Sequence, residues 1–211
     1  MKQHIYADNA ATTQLDKTAF EAMTPWLIEE YGNASQPYAF ARKPKKALAE
    51  ARCTIAECIG ALPEEIFFTS GGTESDNWVI KSSAFSDSEK RGMITSTFEH
   101  YAVLRSCAAI EHLGYPVAYM CPTKEGYITS EILWKYITDK TRLVSVMYAN
   151  NEIGSIQPIC ELCEIAHTHG ALFHTDAVQA VGHIKINVHE LGVDFLSASA
   201  HKFNGPKGIG F

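Results

Sequence analysis

Apolar and polar positions along this chain alternate between two rhythms. Short apolar runs have the length of strands: "EIFFTS" (65–70), "GMITST" (92–97), "YPVAYM" (115–120), "RLVSVMYA" (142–149), "ALFHTD" (171–176) and "VDFLSAS" (193–199). Between them, apolar residues recur every three or four positions over 74–85, 101–114, 129–138 and 160–170, which predicts amphipathic helices. This β–α alternation predicts an α/β fold, a mostly parallel sheet flanked by helices. Two more helices are predicted ahead of it, near 17–31 and 37–60, the second stopped by Gly60. No repeat or change of composition marks a second complete domain.

Composition narrows the picture only a little. With 211 residues, 46% of them apolar and 20% charged, the chain can bury one large core like an ordinary soluble protein. A net charge of −6 offers no basic patch, so nucleic acid is not an expected partner. No apolar run approaches the ~20 residues of a membrane span. The opening "MKQHIYADNAATT" lacks the apolar core of a signal peptide, which makes a cytoplasmic location the expectation. The six cysteines are too sparse for a disulfide scaffold.

In open α/β sheets, ligands sit beyond the carboxyl ends of strands, so the residues following each apolar run carry the chemistry. After 65–70 comes "GGTESDN", with Gly72 and Thr73 opening a helix whose free N–H groups suit a phosphate. Simple capping by Ser70 or Thr73, with Glu74 near the helix dipole, is the alternative. After 92–97 comes His100, a ring-stacking or acid–base candidate or else a surface histidine. "NNEIG" at 150–154 offers Asn151, or merely a turn. "ALFHTD" ends in Asp176, followed by Gln179; a helix cap or an arginine ion pair is the plain account of the carboxylate. The last run delivers Ser199, His201 and Lys202, with Lys207 as a second, lower-ranked lysine.

A phosphate cradle, an imidazole, an amide, a carboxylate and an amine at successive strand ends match the needs of pyridoxal 5'-phosphate. Its aldehyde takes a lysine, its ring nitrogen a carboxylate and its phosphate backbone N–H groups.

The segments "YADNAATT" (6–13), "YGNAS" (31–35), "FTSGGTESDN" (68–77), "EH" (99–100), "ANNEIGSIQPI" (149–159), "HTDAVQAVG" (174–182) and "SASAHKFNGPKGIGF" (197–211) resemble the class V, fold-type I pyridoxal-phosphate enzymes. Within these they are most similar to the group I cysteine desulfurases of iron–sulfur cluster assembly. The resemblance runs end to end. It implies Lys202 as the Schiff-base lysine, Asp176 as the partner of the ring nitrogen, and Gln179 with Asn151 at the phenolic oxygen. It implies His100 stacked on the ring and moving protons, with Gly72, Thr73, Ser199 and His201 at the phosphate. L-Cysteine as substrate, a sulfur-acceptor scaffold protein and a homodimer follow from it as expectations.

The resemblance also implies a domain layout. Residues 1–15 are expected to pack on a small domain absent from this chain, and 16–211 to form the large domain, cut short at its carboxyl end. The sulfur-accepting cysteine and the substrate-gripping arginine of the family lie in that absent part, so the chain alone is expected to bind cofactor but not to release sulfur. Ala34, "QPY" at 36–38 and Gly72 depart from common family residues. Alternatives within the class are a selenocysteine lyase, a cysteine-sulfinate desulfinase, an aminotransferase or an inactive cofactor-binding remnant. Outside it, Cys160, Cys163 and His167, with His169 or an outside residue as fourth ligand, share a helical face and could hold zinc.

Overall fold

The central strands are apolar on both faces because both faces are covered. Met93 and Leu143 point one way and Ile94 and Val144 the other, all at most 3% exposed. The computed structural model describes residues 5–86 and 89–211. Its helices are α1 (Lys17–Ile28), α2 (Arg42–Ile59), α3 (Gly72–Phe85), α4 (Tyr101–His112), α5 (Ser130–Trp134), α6 (Ile159–Thr168) and α7 (Val188–Leu191). Its strands are β1 (Gly92–Ser96), β2 (Val117–Met120), β3 (Thr141–Ser145), β4 (Leu172–Asp176) and β5 (Phe195–Ser197). They pair in parallel in the order β2-β1-β3-β4-β5.

Helices α3 and α4 cover one face, packing Ile80, Val103 and Ile110 on Met93 and Leu143. Helices α5 and α6 cover the other, packing Leu133, Ile159 and Leu162 on Ile94, Val144 and Phe173. A third cluster joins Ala56 and Ile59 of α2 to Ile66, Ala177, Ala180, Val181 and Ala198. Gly60 ends α2 in the left-handed conformation at φ 71°, as its sequence position predicts. Helix α1 buries no side chain, and Trp26, Leu27, Ile28 and nearby Tyr31 are exposed.

One predicted strand does not form. Residues 65–70 join the sheet only through Thr69, which exchanges hydrogen bonds of 2.9 and 3.0 Å with Gly210. Gly210 also bridges Ser199, and Phe211 exchanges bonds with Ala198, so 209–211 run antiparallel between β5's extension and Thr69. A flat seam of backbone is what Gly210 permits: a Cβ there would lie 2.4 Å from the Ala198 carbonyl oxygen.

The chain leaves β1 towards β2 on one side and places β3 on the other. The switch point therefore lies between the carboxyl ends of β1 and β3, where open α/β sheets leave a crevice for ligands.

Candidate active site

A cavity of about 780 Å³ opens at these strand ends. Every residue assigned above to the cofactor lines it: Gly72, Thr73, His100, Asn151, Asp176, Gln179, Ser199, His201 and Lys202, with Lys207 at the same wall.

Three elements supply its chemistry. Helix α3 begins at Gly72 behind Gly71, and no side chain caps it. Instead Glu74 reaches back to accept the Ser70 N–H at 2.5 Å, which holds its carboxyl below the usual range. Capping by Ser70 or Thr73 is thus not what these residues do, and the positive end of α3 faces the cavity. Gly72 is buried against Val178, whose Cγ2 would lie 2.5 Å from a Cβ at this position. That contact leaves little room for any side chain at position 72.

Asp176 closes β4 and is 4% exposed. Burial raises its carboxyl, while the Val178 N–H at 2.9 Å and the nearby His100 and Lys202 favour its charged form. Lys202 follows β5 in a short 3-10 turn, Ala200–Lys202. Its amine donates to the carbonyl oxygens of Ala10 and, at 3.1 Å, Ala11. Burial lowers its pKa, opposed by the charges of Asp176 and Asp8.

The amino-terminal segment forms part of the wall. Gln179 Nε2 donates to the Ala10 carbonyl at 2.8 Å. Thr13 donates its N–H and its hydroxyl to the His201 carbonyl at 2.8 and 2.9 Å, and Thr12 Oγ1 meets His201 Nδ1 at 3.0 Å. Asp8, Ala10, Ala11 and Thr12 consequently line the cavity. Sequence reasoning assigned them no site role, because the tie lies between positions about 190 residues apart.

His100 serves two ends at once. Its Nδ1 accepts the Ala102 N–H at 3.1 Å, capping α4, which leaves Nε2 as the protonated nitrogen. Its neighbour Glu99 is buried, accepting from the Ser96 hydroxyl and, at 3.0 Å, from the Met147 N–H across the switch point. Burial pushes that carboxyl up to about 8. Asn150 ties the same two loops, donating to the Phe98 carbonyl at 3.0 Å while its Oδ1 accepts the Glu152 and Ile153 N–H groups. The turn reading of "NNEIG" is correct for Asn150, and that turn carries Asn151 into the cavity.

The zinc alternative fails on geometry. Cys163 donates to the Gly192 carbonyl at 3.0 Å, and His167 Nε2 meets Asp194 at 2.9 Å. Among the described residues, no group of three or more acidic, histidine or cysteine side chains could hold a metal ion. Cys160 Sγ lies 3.6 Å from the Glu190 carbonyl oxygen within α7, and Cys163 and His167 are engaged by the loop after it, an element the sequence did not predict.

The fold and site define an α/β protein of the doubly wound kind, with its ligand cavity at the switch point. The family model "Aminotransferase class-V" matches residues 5–211, and the chain belongs to that family. It is 53% identical over its whole length to a cysteine desulfurase IscS of Dictyoglomus turgidum and 49% identical over 98% of its length to one of Methanosarcina thermophila. It covers 54% and 51% of those proteins, so it spans about half the length of the curated relatives it matches. Among solved structures, a NIFS-like protein superposes with a TM-score of 0.96 at 39% identity, over 99% of this chain and 58% of that one. SspA in complex with cysteine superposes with a TM-score of 0.95 at 40% identity, over 98% and 60%. Among the described residues, no helix is long and apolar enough to cross a membrane.

Proposed function

We propose that the chain is the cofactor-holding part of a pyridoxal 5'-phosphate-dependent cysteine desulfurase, which converts L-cysteine to L-alanine and passes the sulfur on as a persulfide. One observation carries the proposal. An amine, a buried carboxylate and an uncapped helix amino end line a single cavity in a chain whose relatives bear that name.

The donor set fits the cofactor. Once bound, pyridoxal phosphate supplies an aldehyde for amines and a protonated ring that withdraws electrons. Lys202 would hold the aldehyde, and the burial that depresses its pKa leaves more of the amine unprotonated and able to act as a nucleophile. Asp176 would hold the proton on the ring nitrogen. Gln179 and Asn151 would orient the phenolic oxygen, and Gly72, Thr73, Ser199 and His201 would hold the phosphate at the end of α3. His100 would lie against the ring and move protons through Nε2. Among the described residues, no cysteine lines the cavity. A homodimer, a scaffold protein as final acceptor and a cytoplasmic setting complete the proposal. The exposed Trp26, Leu27 and Ile28 of α1 are apolar surface available to a second copy.

The test is cofactor uptake. The purified chain should develop a visible absorption band with pyridoxal phosphate, and borohydride reduction should fix the adduct on Lys202. Lys202→Ala should lose the band. Absence of the band, or an adduct on Lys207, overturns the assignment. Sulfide release from cysteine should be absent for the chain alone.

A further inference from the structure

The cavity floor contains a second carboxyl that the reading above leaves unused. Asp76 lies one helical turn after Gly72 on α3, lines the cavity and is 1% exposed. Its Oδ1 is buried without a hydrogen-bond partner. The neighbouring His174 Nε2 is 3.6 Å away and already engaged by Ser197 Oγ at 2.9 Å, while Nδ1 meets Ser145 Oγ at 2.9 Å. Burial pushes this imidazole down to about 3, so it brings no positive charge.

The groups facing Asp76 from the packed elements are therefore Asp176 and His174 on β4, the Ser197 hydroxyl on β5 and Glu99 beyond β1. None is a cation. Asp176 is placed differently: it accepts the Val178 N–H and sits in the field of His100 and Lys202. Two buried carboxylates in one site do not both ionise, and the proton goes to the one whose charge is worse solvated.

We propose that Asp76 is a positioning residue that holds the proton of this pair, so that a single negative charge, on Asp176, faces the ring nitrogen of the cofactor. The part concerning the ring rests on the function proposed above; the part concerning the proton does not. Burial, then the charge of Asp176, raises the Asp76 carboxyl well above the ordinary range, against a smaller opposing effect of a Ser197 hydroxyl hydrogen bond, in the direction the geometry requires.

The decisive measurement is a carboxyl-carbon NMR titration of the cofactor-free chain labelled at aspartate, with Asp76→Asn and Asp176→Asn for assignment. Asp76 should give a protonated signal that does not move between pH 5 and pH 7; a midpoint at or below pH 7 overturns the proposal. Urea unfolding supplies a second readout. A folded state that keeps a proton the unfolded chain releases loses stability as pH rises, whereas Asp76→Asn does not. The ratio of unfolding constants, wild type over Asp76→Asn, should grow about tenfold per pH unit over this range. A pH-independent ratio overturns the proposal. Should the asparagine variant not fold, the wild-type titration decides alone. With cofactor bound, Asp76→Asn should leave the pH dependence of the absorption band in place while Asp176→Asn displaces it; equal displacement by both overturns the assignment of the charge to Asp176. Failure to take up pyridoxal phosphate counts against the proposed function only, because the first two measurements contain none.

Discussion

Replacing Gln157 by leucine tests how the cavity's β3-side loop is held. Gln157 is 3% exposed, and its side chain is fully engaged. Its Oε1 accepts the Ile128 N–H at 2.8 Å, and its Nε2 donates to the Gly126 carbonyl at 2.9 Å and to Ser155 Oγ at 3.1 Å. Leucine would strand the Ile128 N–H and the Gly126 carbonyl, both buried, at about 1–3 kcal/mol each. With about 4 kcal/mol stranded in all and about 2 kcal/mol returned by burying leucine's carbons, a net loss of about 2 kcal/mol is expected. For a chain of this length that lowers Tm by about 4–8 °C, read by calorimetry or by the urea midpoint. Gln157→Glu refines the test. Its carboxylate accepts from Ile128 but meets Gly126's carbonyl as a second acceptor, so the folded state favours the protonated acid. Measured relative to wild type at each pH, the stability of Gln157→Glu should therefore improve from pH 8 to pH 5, whereas the deficit of Gln157→Leu should stay constant. An unchanged midpoint for Gln157→Leu, or a difference between Gln157→Glu and wild type that does not change with pH, would refute the reasoning.

Three further outcomes are expected. His174 is held neutral, its pKa pushed down to about 3 from 6.5, so its contribution is whole above pH 6.5 and lost progressively towards pH 3. His174→Gln should flatten acid denaturation in that window, where the wild type changes by about 1.4 kcal/mol per pH unit from this group. Gly182→Ala places a Cβ 2.6 Å from Phe203 Cβ at φ 80°, next to Lys202. It should cost about 1–2 kcal/mol from the backbone alone and weaken cofactor uptake, seen by absorbance titration. A thiol reagent should label Cys53, Cys58, Cys121 and Cys160 in the native chain, and Cys107 and Cys163 only on unfolding. Burial pushes the last two up to about 12.

Much of the fold was legible because the sheet is covered on both sides, which leaves short, continuous apolar runs such as those around Val144 and Phe173. Where a run lacked a ladder to join, the signal misled: "EIFFTS" has strand composition, yet only Thr69 finds a partner, and that partner is Gly210. Helix α5 is shorter than its periodic stretch, Ser130–Trp134, because the chain tightens into turns at Lys135–Ile137. In the site, residues at strand ends were readable from topology alone. Asp76 was not, since "ESDN" reads as a polar helix opening. Its spacing of four from Gly72 was the available clue, placing it on the face that packs against the sheet. The clasp of Thr12 and Thr13 on His201 depends on tertiary closure, which no local pattern encodes.

The seam at Gly210 has a consequence for how the two walls of the cavity are spaced. One wall, entering α3, hangs from Thr69; the other, leading to Lys202, leaves from Ser199; Gly210 is wedged between both. A methyl group there would press on the Ala198 carbonyl at 2.4 Å and on the Gly71 Cα at 2.7 Å. The bare backbone therefore works as a gauge block, setting the gap between the amino end of α3 and the Lys202 amine from a residue outside the cavity's lining.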